Sequence, residues 1–220
     1  MAQDQLTLLD CWPSPFAMRV KIALAEKGIE YEAKDQNLVD KSPLLLEMNP
    51  VHKMIPVLVH NGKPICESLI ILQYIDEAWP DKAPLLPSDP HQRSQARFWA
   101  DYMDKKIYSN AKKVLWEKEG KQEAIKRDLI EGLKTLEGEL GEKLYFDGET
   151  IGFVDVALVP IACWFYTIET LENFRIEADC PKIIAWAKRC LEKESVSKAL
   201  ADPKKVYGFA LQQRQRLGLD

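Results

Sequence analysis

Ser14 stands between two prolines in Trp12-Pro13-Ser14-Pro15-Phe16, just beyond a short apolar run, Leu6-Thr7-Leu8-Leu9, that Asp10 stops. The helical pattern that follows sets Val20, Ala23 and Leu24 on one face and meets Gly28 as its stop. Ser14 therefore reads as a helix N-cap, with Pro15 at the first helical position, where its missing N–H is not needed. A helix start carries free N–H groups and the positive end of the dipole, so it stabilises an anion. A hydroxyl there can donate a hydrogen bond to a thiolate and lower the thiol's pKa, as helix N-termini do for activated cysteines. Capping alone explains Ser14 equally well, and spacing does not separate the two roles.

Two further features carry chemistry nearby. Glu67-Ser68 opens an amphipathic helix with Leu69, Leu72 and Ile75 inward, continuing through Trp79. A carboxylate and a hydroxyl beside free N–H groups can hold an amino-acid head group by its ammonium and its carboxylate together; alternatively, Ser68 is only an N-cap. Ile55-Pro56 follows a loop and precedes a strand. A cis proline there would leave the preceding backbone N–H and C=O open to an extended peptide. The cysteines Cys11, Cys66, Cys163, Cys180 and Cys190 show no C-x-x-C spacing and no nearby histidines, so they read as small buried side chains, not as a disulfide framework or a metal site.

The elements that must position these residues follow from periodicity. Leu6–Leu9, the Ser14-capped helix and a strand over Tyr31–Asp35 form a parallel βαβ unit. Residues 36–54 are mixed, with a short helix near Ser42–Met48. Pro56–His60 and Pro64–Cys66 flank Asn61-Gly62, a strong hairpin signal. The order β-α-β-α-β-β-α makes a small α/β domain over residues 1–82. Pro80, Pro84, Pro87 and Pro90 mark a linker, set at residues 83–90, and residues 91–220 read as all-helical. In that part Asp89 with Gln92 reads as a cap, and Leu129, Leu133, Leu136 and Leu140 as one stripe ending at Gly141. Asp155 takes the capping-box position after Gly152, with Ile151 and Val156 as a hydrophobic staple. A helix from Pro181 is expected to turn Ile183, Ala187, Cys190 and Leu191 inward.

In the helical part, Tyr108, Lys112 and Leu115 or Trp116 recur at helical spacing and share one face. With Phe16, Trp164 and Phe209 they are candidates to line an apolar cleft between the domains; ordinary core packing is the competing explanation.

Composition bounds the function classes. Across 220 residues, 30 Lys/Arg oppose 34 Asp/Glu for a net charge of −4, which argues against nucleic acid or an anionic membrane as partner. Residues 1–80 hold 7 Lys/Arg and 11 Asp/Glu, so they carry the whole excess. No secretory signal opens the chain, and Val156–Ile168, the longest apolar stretch, is too short to span a bilayer; a cytoplasmic protein is expected.

The run Asn49-Pro50-Val51-His52-Lys53-Met54-Ile55-Pro56-Val57-Leu58, the segment Asn61–Ser68 and the Trp12–Phe16 motif resemble the glutathione transferases, specifically the plant tau class. Arg97-Phe98-Trp99-Ala100-Asp101 and Gly152-Phe153-Val154-Asp155 extend the likeness over nearly the whole chain. The resemblance implies a thioredoxin-like α/β N-terminal domain, an all-α C-terminal domain and a homodimer. It also implies glutathione as co-substrate, with no permanently bound cofactor and no metal. Ser14 would stabilise the glutathione thiolate, the Ile55 backbone would pair with the cysteinyl part, Glu67 and Ser68 would hold the γ-glutamyl end, and Lys41 would reach the glycine carboxylate. The family commonly places a second lysine immediately before the Ile-Pro pair; here Met54 stands there, and Lys53 beside it would point differently in an extended segment. Phe16, Tyr108, Lys112, Trp116, Trp164 and Phe209 would form the hydrophobic substrate site.

The implied activity is conjugation of glutathione to hydrophobic electrophiles, with peroxidase activity on organic hydroperoxides, in detoxification and stress response. Two rivals remain at this stage. A thiol oxidoreductase of the omega kind would carry cysteine where Ser14 stands; Cys11 is three residues away. A carrier of hydrophobic ligands and conjugates would use the same apolar cleft without turnover.

Overall fold

The computed structural model describes residues 5–117 and 122–219. The chain divides between Leu86 and Pro87 into two compact units.

The first unit contains a four-stranded sheet in the order β2-β1-β3-β4. Strands β1 (Leu6–Asp10) and β2 (Glu32–Asp35) are parallel and joined by α1 (Pro15–Glu26), whereas β3 (Val57–His60) runs antiparallel to β1 and to β4 (Lys63–Cys66). Asn61 (φ 50°) and Gly62 (φ 77°) both adopt the left-handed conformation that a two-residue hairpin turn requires. Every residue of β1 is buried. Its Leu9 and the cross-strand Val57 pack on Leu45 of α2 (Pro43–Met48), a helix capped by the Ser42 hydroxyl. Helices α1 and α3 (Ser68–Ala78) pack on each other, burying Val20, Ala23, Ile71 and Ile75.

A buried charge closes this unit. The Lys27 ammonium, at the end of α1, lies 2.9 Å from Asp76 of α3 and donates to the carbonyls of Trp79 (3.2 Å) and Lys82 (3.4 Å). Asp76 in turn accepts from the backbone N–H groups of Leu85 (2.8 Å) and Leu86 (3.0 Å). A buried pair is retained only when its remaining donors and lone pairs are met, and here the partners are the backbone of the segment that ends the unit.

The second unit is helical. Asp89 caps α4 (Pro90–Tyr102) by accepting from Gln92 N–H at 2.8 Å. The helix then widens into a π segment, Met103–Tyr108, before α5 (Ser109–Trp116). Gly132 of α6 (Gln122–Leu140) faces this segment: a Cβ built there would lie 2.8 Å from Ile107 Cδ1, so the end of the Ile107 side chain would have to move. The leucine stripe of α6 is buried, and Gly141 (φ 57°) ends it.

Helix α7 (Phe153–Leu158) passes through a 3₁₀ turn, Val159–Ile161, into α8 (Ala162–Glu172). The combined run Phe153–Glu172 is 20 residues long and contains an 18-residue window with a mean hydropathy of 1.4, enough in length and composition to cross a membrane, which corrects the shorter stretch read from the sequence. Since 72% of its apolar window is buried inside the fold, it serves as a core helix. Short helix α9 (Ile176–Asp179) leads to α10 (Pro181–Leu191), then α11 (Glu194–Ser197) and α12 (Pro203–Leu217), the last packed on α8. In α10, Ile183, Ala187 and Cys190 are buried as expected, but Leu191 is 43% exposed and Trp186 is fully buried. Trp186 and Cys190 centre the buried face, and Leu191, about 80° around from Ile183, falls on its edge.

Candidate active site

Strand register gathers the first-unit candidates at one end of the sheet. Leu9 opposes Val57, and Val57 opposes Cys66, so the end of β1, the start of β3 and the end of β4 coincide. The segments that continue from those ends contain Ser14, Ile55 and Glu67-Ser68. Gln36 N–H donates to the Asp10 carbonyl at 2.8 Å, and the Ser42 hydroxyl donates to the Gln36 side chain at 2.6 Å, which ties the neighbouring Lys41 to the same end.

Ser14 is buried and caps α1 through Oγ, which accepts from Ala17 N–H at 3.2 Å. Its backbone N–H donates to the Cys11 carbonyl at 2.9 Å, so the turn after β1 orients it. Because the bond to Ala17 uses an oxygen lone pair, the hydroxyl proton remains available for donation elsewhere. The Ile55-Pro56 bond is cis. Among the described residues, neither the N–H nor the C=O of Ile55 has a hydrogen-bond partner. Asn49 shapes this loop: its side chain donates to the Met54 carbonyl at 3.0 Å and accepts from His52 N–H at 3.1 Å.

Glu67 is the N-cap of α3 in position only. Its φ of 70° with ψ of 116° is a costly conformation for a side-chain-bearing residue, and its carboxylate makes no capping bond. The carboxylate is exposed, 3.9 Å from His52 Nε2. Ser68 is the first residue of the helix, not its cap; it is buried, and its hydroxyl accepts from Arg19 Nη1 at 3.0 Å. Lys41 is half-buried and forms no ion pair among the described residues. Lys53 is exposed with φ 54°, in a turn and not in the extended segment expected.

In the second unit, Trp116, Trp164 and Phe209 form a chain of edge-to-face rings, with centroids 6.4 Å apart at each step. The indole N–H of Trp164 is buried with no partner among the described residues. Tyr108 ends the π segment, half-buried, and Lys112 is exposed one turn on. Phe16 belongs to the first unit, where its ring lies 4.9 Å from the Arg19 guanidinium.

Residues 4–77 match the family model of the glutathione S-transferase N-terminal domain, and residues 119–189 that of the C-terminal domain. A probable glutathione S-transferase from Nicotiana tabacum, parA, is 65% identical over all of both chains. A rice glutathione transferase solved in complex with glutathione superposes with a TM-score of 0.92 at 45% identity, covering 98% of this chain and 99% of that one. A tau-class glutathione S-transferase from mango gives 0.89 at 40% identity over 94% and 98%. The chain belongs to the tau class of the glutathione S-transferases. Its first unit is the family's thioredoxin-like α/β domain, its second the helical C-terminal domain, and the protein is a transferase.

For a glutathione transferase the cysteines are poor nucleophiles. Burial, then the carboxylates of Asp35 and Asp10, push the Cys11 thiol up, which argues against a thiol-exchange role at this end of the sheet. Burial and Glu67 also raise Cys66. Cys163 and Cys180 are pushed up to about 12, mainly by burial.

Sequence reasoning missed Arg19. Its guanidinium is fully buried, joins Phe16 to Ser68, and so links the first helix to the third. A signal was present in the arginine at position 19, between Met18 and Val20 on an otherwise apolar stretch, because an arginine is almost never fully buried without partners.

Proposed function

We propose that this transferase binds glutathione through residues 1–82 and joins its sulfur to hydrophobic electrophiles held by residues 91–220. The observation that carries the reading is the Ser14 hydroxyl, capped onto α1 with its proton free, at the sheet end shared with Ile55, Glu67 and Ser68. In this account the hydroxyl donates to the glutathione sulfur and holds it as thiolate, with the α1 dipole adding to the effect. The open backbone of Ile55 pairs with the cysteinyl unit. The Glu67 carboxylate takes the γ-glutamyl ammonium, and Ser68, fixed by Arg19, lies beside the N-terminal N–H groups of α3 that take its carboxylate.

The thiolate then attacks an electrophilic carbon and expels its leaving group, or attacks a hydroperoxide oxygen, breaking the O–O bond to release the alcohol and leave glutathione sulfenic acid, which a second glutathione converts to glutathione disulfide and water. Proximity and thiolate stabilisation supply the rate, without a covalent enzyme intermediate. The rings of Trp116, Trp164 and Phe209, with Tyr108 and Lys112, are the electrophile site of this reading. It includes the cytoplasm as location and a homodimer as assembly; Ile70 and Phe98, each 54% exposed, are apolar side chains a second copy would cover.

The test is conjugation of glutathione to chlorodinitrobenzene, followed by release of chloride. Turnover is expected, and its absence would count against the reading. Met54 leaves Lys41 as the chief partner of the glycine carboxylate, in a domain that carries the whole negative excess of the chain. Lys41→Ala is therefore expected to raise the glutathione KM by roughly tenfold while changing kcat little, the value of a charge-assisted hydrogen bond. An unchanged KM would remove Lys41 from the site.

A further inference from the structure

The helical unit contains a cavity of about 400 Å³ that none of the groups above uses. Every residue lining it lies between Pro87 and Val154. Trp99 of α4, Phe146 and Phe153 form apolar walls, while Gln92, Gln95 and Asp147 bring polar groups to the same space. Both the volume and this mixture suit small-molecule sites, which run from roughly 300 to 1,000 Å³ with a few convergent polar groups on apolar walls.

The cavity is built from fixed parts. Phe146 donates its N–H to buried Asp155 at 3.0 Å, and its ring packs edge-on against Trp186 with centroids 5.5 Å apart. Gly148, at φ 103°, closes the adjoining turn through paired hydrogen bonds with Tyr145. A Cβ on Gly152 would lie 2.5 Å from Asp147 Cβ, so the glycine is what lets Asp147 occupy its position.

The polar groups are uncommitted. Gln92, Gln95 and Asp147 are exposed at the cavity's rim, and their side-chain amides and carboxylate have no hydrogen-bond partner among the described residues, so a ligand entering there would displace only water from them. Lys143 in the lining is 3.1 Å from Glu139 and also acts on Asp147, whose exposed carboxylate is the acidic group at the cavity's edge with no ion pair of its own among the described residues.

We propose that this cavity binds a small aromatic cation, with its ring against Trp99 and its ammonium held by the Asp147 carboxylate and the Gln92 and Gln95 amides. An ammonium on an aromatic stem satisfies an apolar wall and an unpaired carboxylate at once, and the Trp99 ring favours a cation further. Partial burial raises the Asp147 carboxyl above its usual range while Lys143 acts the other way, so a ligand ammonium would further favour its ionised form. The inference stands apart from the transferase reading, because it uses none of the residues assigned to glutathione or to the electrophile.

Calorimetric titration of the full chain with tryptamine, and with indole-3-propionate as an anion of similar shape, tests it. Tryptamine is expected to bind at one site, and indole-3-propionate to give no binding at the same concentrations. Asp147→Asn should weaken tryptamine at least tenfold, on the order of one charge-assisted contact. Saturating glutathione should leave the tryptamine affinity unchanged. Should Asp147→Asn fail to fold, Gln95→Trp, which fills the mouth from the exposed face of α4, should abolish binding. Absence of tryptamine binding, equal binding of the anion, competition by glutathione, or full affinity in either folded variant would overturn the proposal.

Discussion

Replacing Asp155 by alanine is expected to cost the helical domain about 4 kcal/mol, enough to unfold much of it under mild denaturant. The carboxylate is fully buried and serves four donors: Phe146 N–H (3.0 Å) and Trp186 Nε1–H (2.7 Å) on one oxygen, Gly152 N–H (2.9 Å) on the other, and the Asp147 backbone N–H. Each donor left unmet in the interior costs about 1–3 kcal/mol, and the losses are not fully additive because the donors share one acceptor group. Burial pushes the carboxyl above its usual range even though all four N–H groups favour the ionised form, so desolvation is the larger effect here. Asp155→Asn keeps one carbonyl oxygen for Phe146 and Trp186 but turns an amide N–H₂ towards Gly152, and roughly half the loss is expected. The check is the denaturant midpoint at unchanged slope. A change under about 1 kcal/mol for alanine would mean that water or another group meets the donors.

Ser14→Ala is expected to lower kcat/KM for chlorodinitrobenzene conjugation by roughly 10- to 100-fold near neutral pH, the worth of one hydrogen bond to a charged group. The same change removes the cap on Ala17 N–H, at about 1 kcal/mol of stability, so a loss of activity could be confused with a loosened helix. Ser14→Asp separates the two. Aspartate is a good N-cap but cannot donate when ionised, and its charge repels a thiolate. This variant should keep the wild-type unfolding midpoint and have less activity than alanine. Wild-type activity in Ser14→Asp would reduce Ser14 to a capping residue.

Features written in local sequence were legible. Ser14-Pro15, Asp89 and the Gly152/Asp155 pair each announce a helix start within four residues and cap as read, while Ser42, read only as the start of a short helix, caps it too. Asn61-Gly62 announces its hairpin because its backbone must adopt positive φ. What escaped depends on residues distant in the chain. Trp186 is a core residue because its indole finds Asp155, 31 positions away, and its burial shifts the inward face of α10 off Leu191. The bond between Arg19 and Ser68 spans 49 positions, and so the hydroxyl read as a possible cap is instead held by a buried guanidinium. The π segment at Met103–Tyr108 sets Ile107 beside Gly132 on another helix, a neighbour that periodicity along α4 cannot reveal.

The candidate site divides in the same way. Its serine, its Ile-Pro pair and its Glu-Ser pair stood out by residue type, but their convergence follows from strand register, Leu9 to Val57 to Cys66. The conformation of Lys53 was misjudged because the loop around it is ordered by Asn49 through side-chain bonds to both Met54 and His52.

The most direct measurement is the pKa of the glutathione thiol when bound, read from the ultraviolet absorbance of the thiolate across pH in the wild-type protein and in Ser14→Ala. The account predicts a value well below the usual thiol value of about 8.5 in the wild type, and one about 1–2 units higher in the variant, with glutathione still bound in both. Equal thiol pKa values in the two proteins would contradict the claim that the Ser14 hydroxyl holds the thiolate.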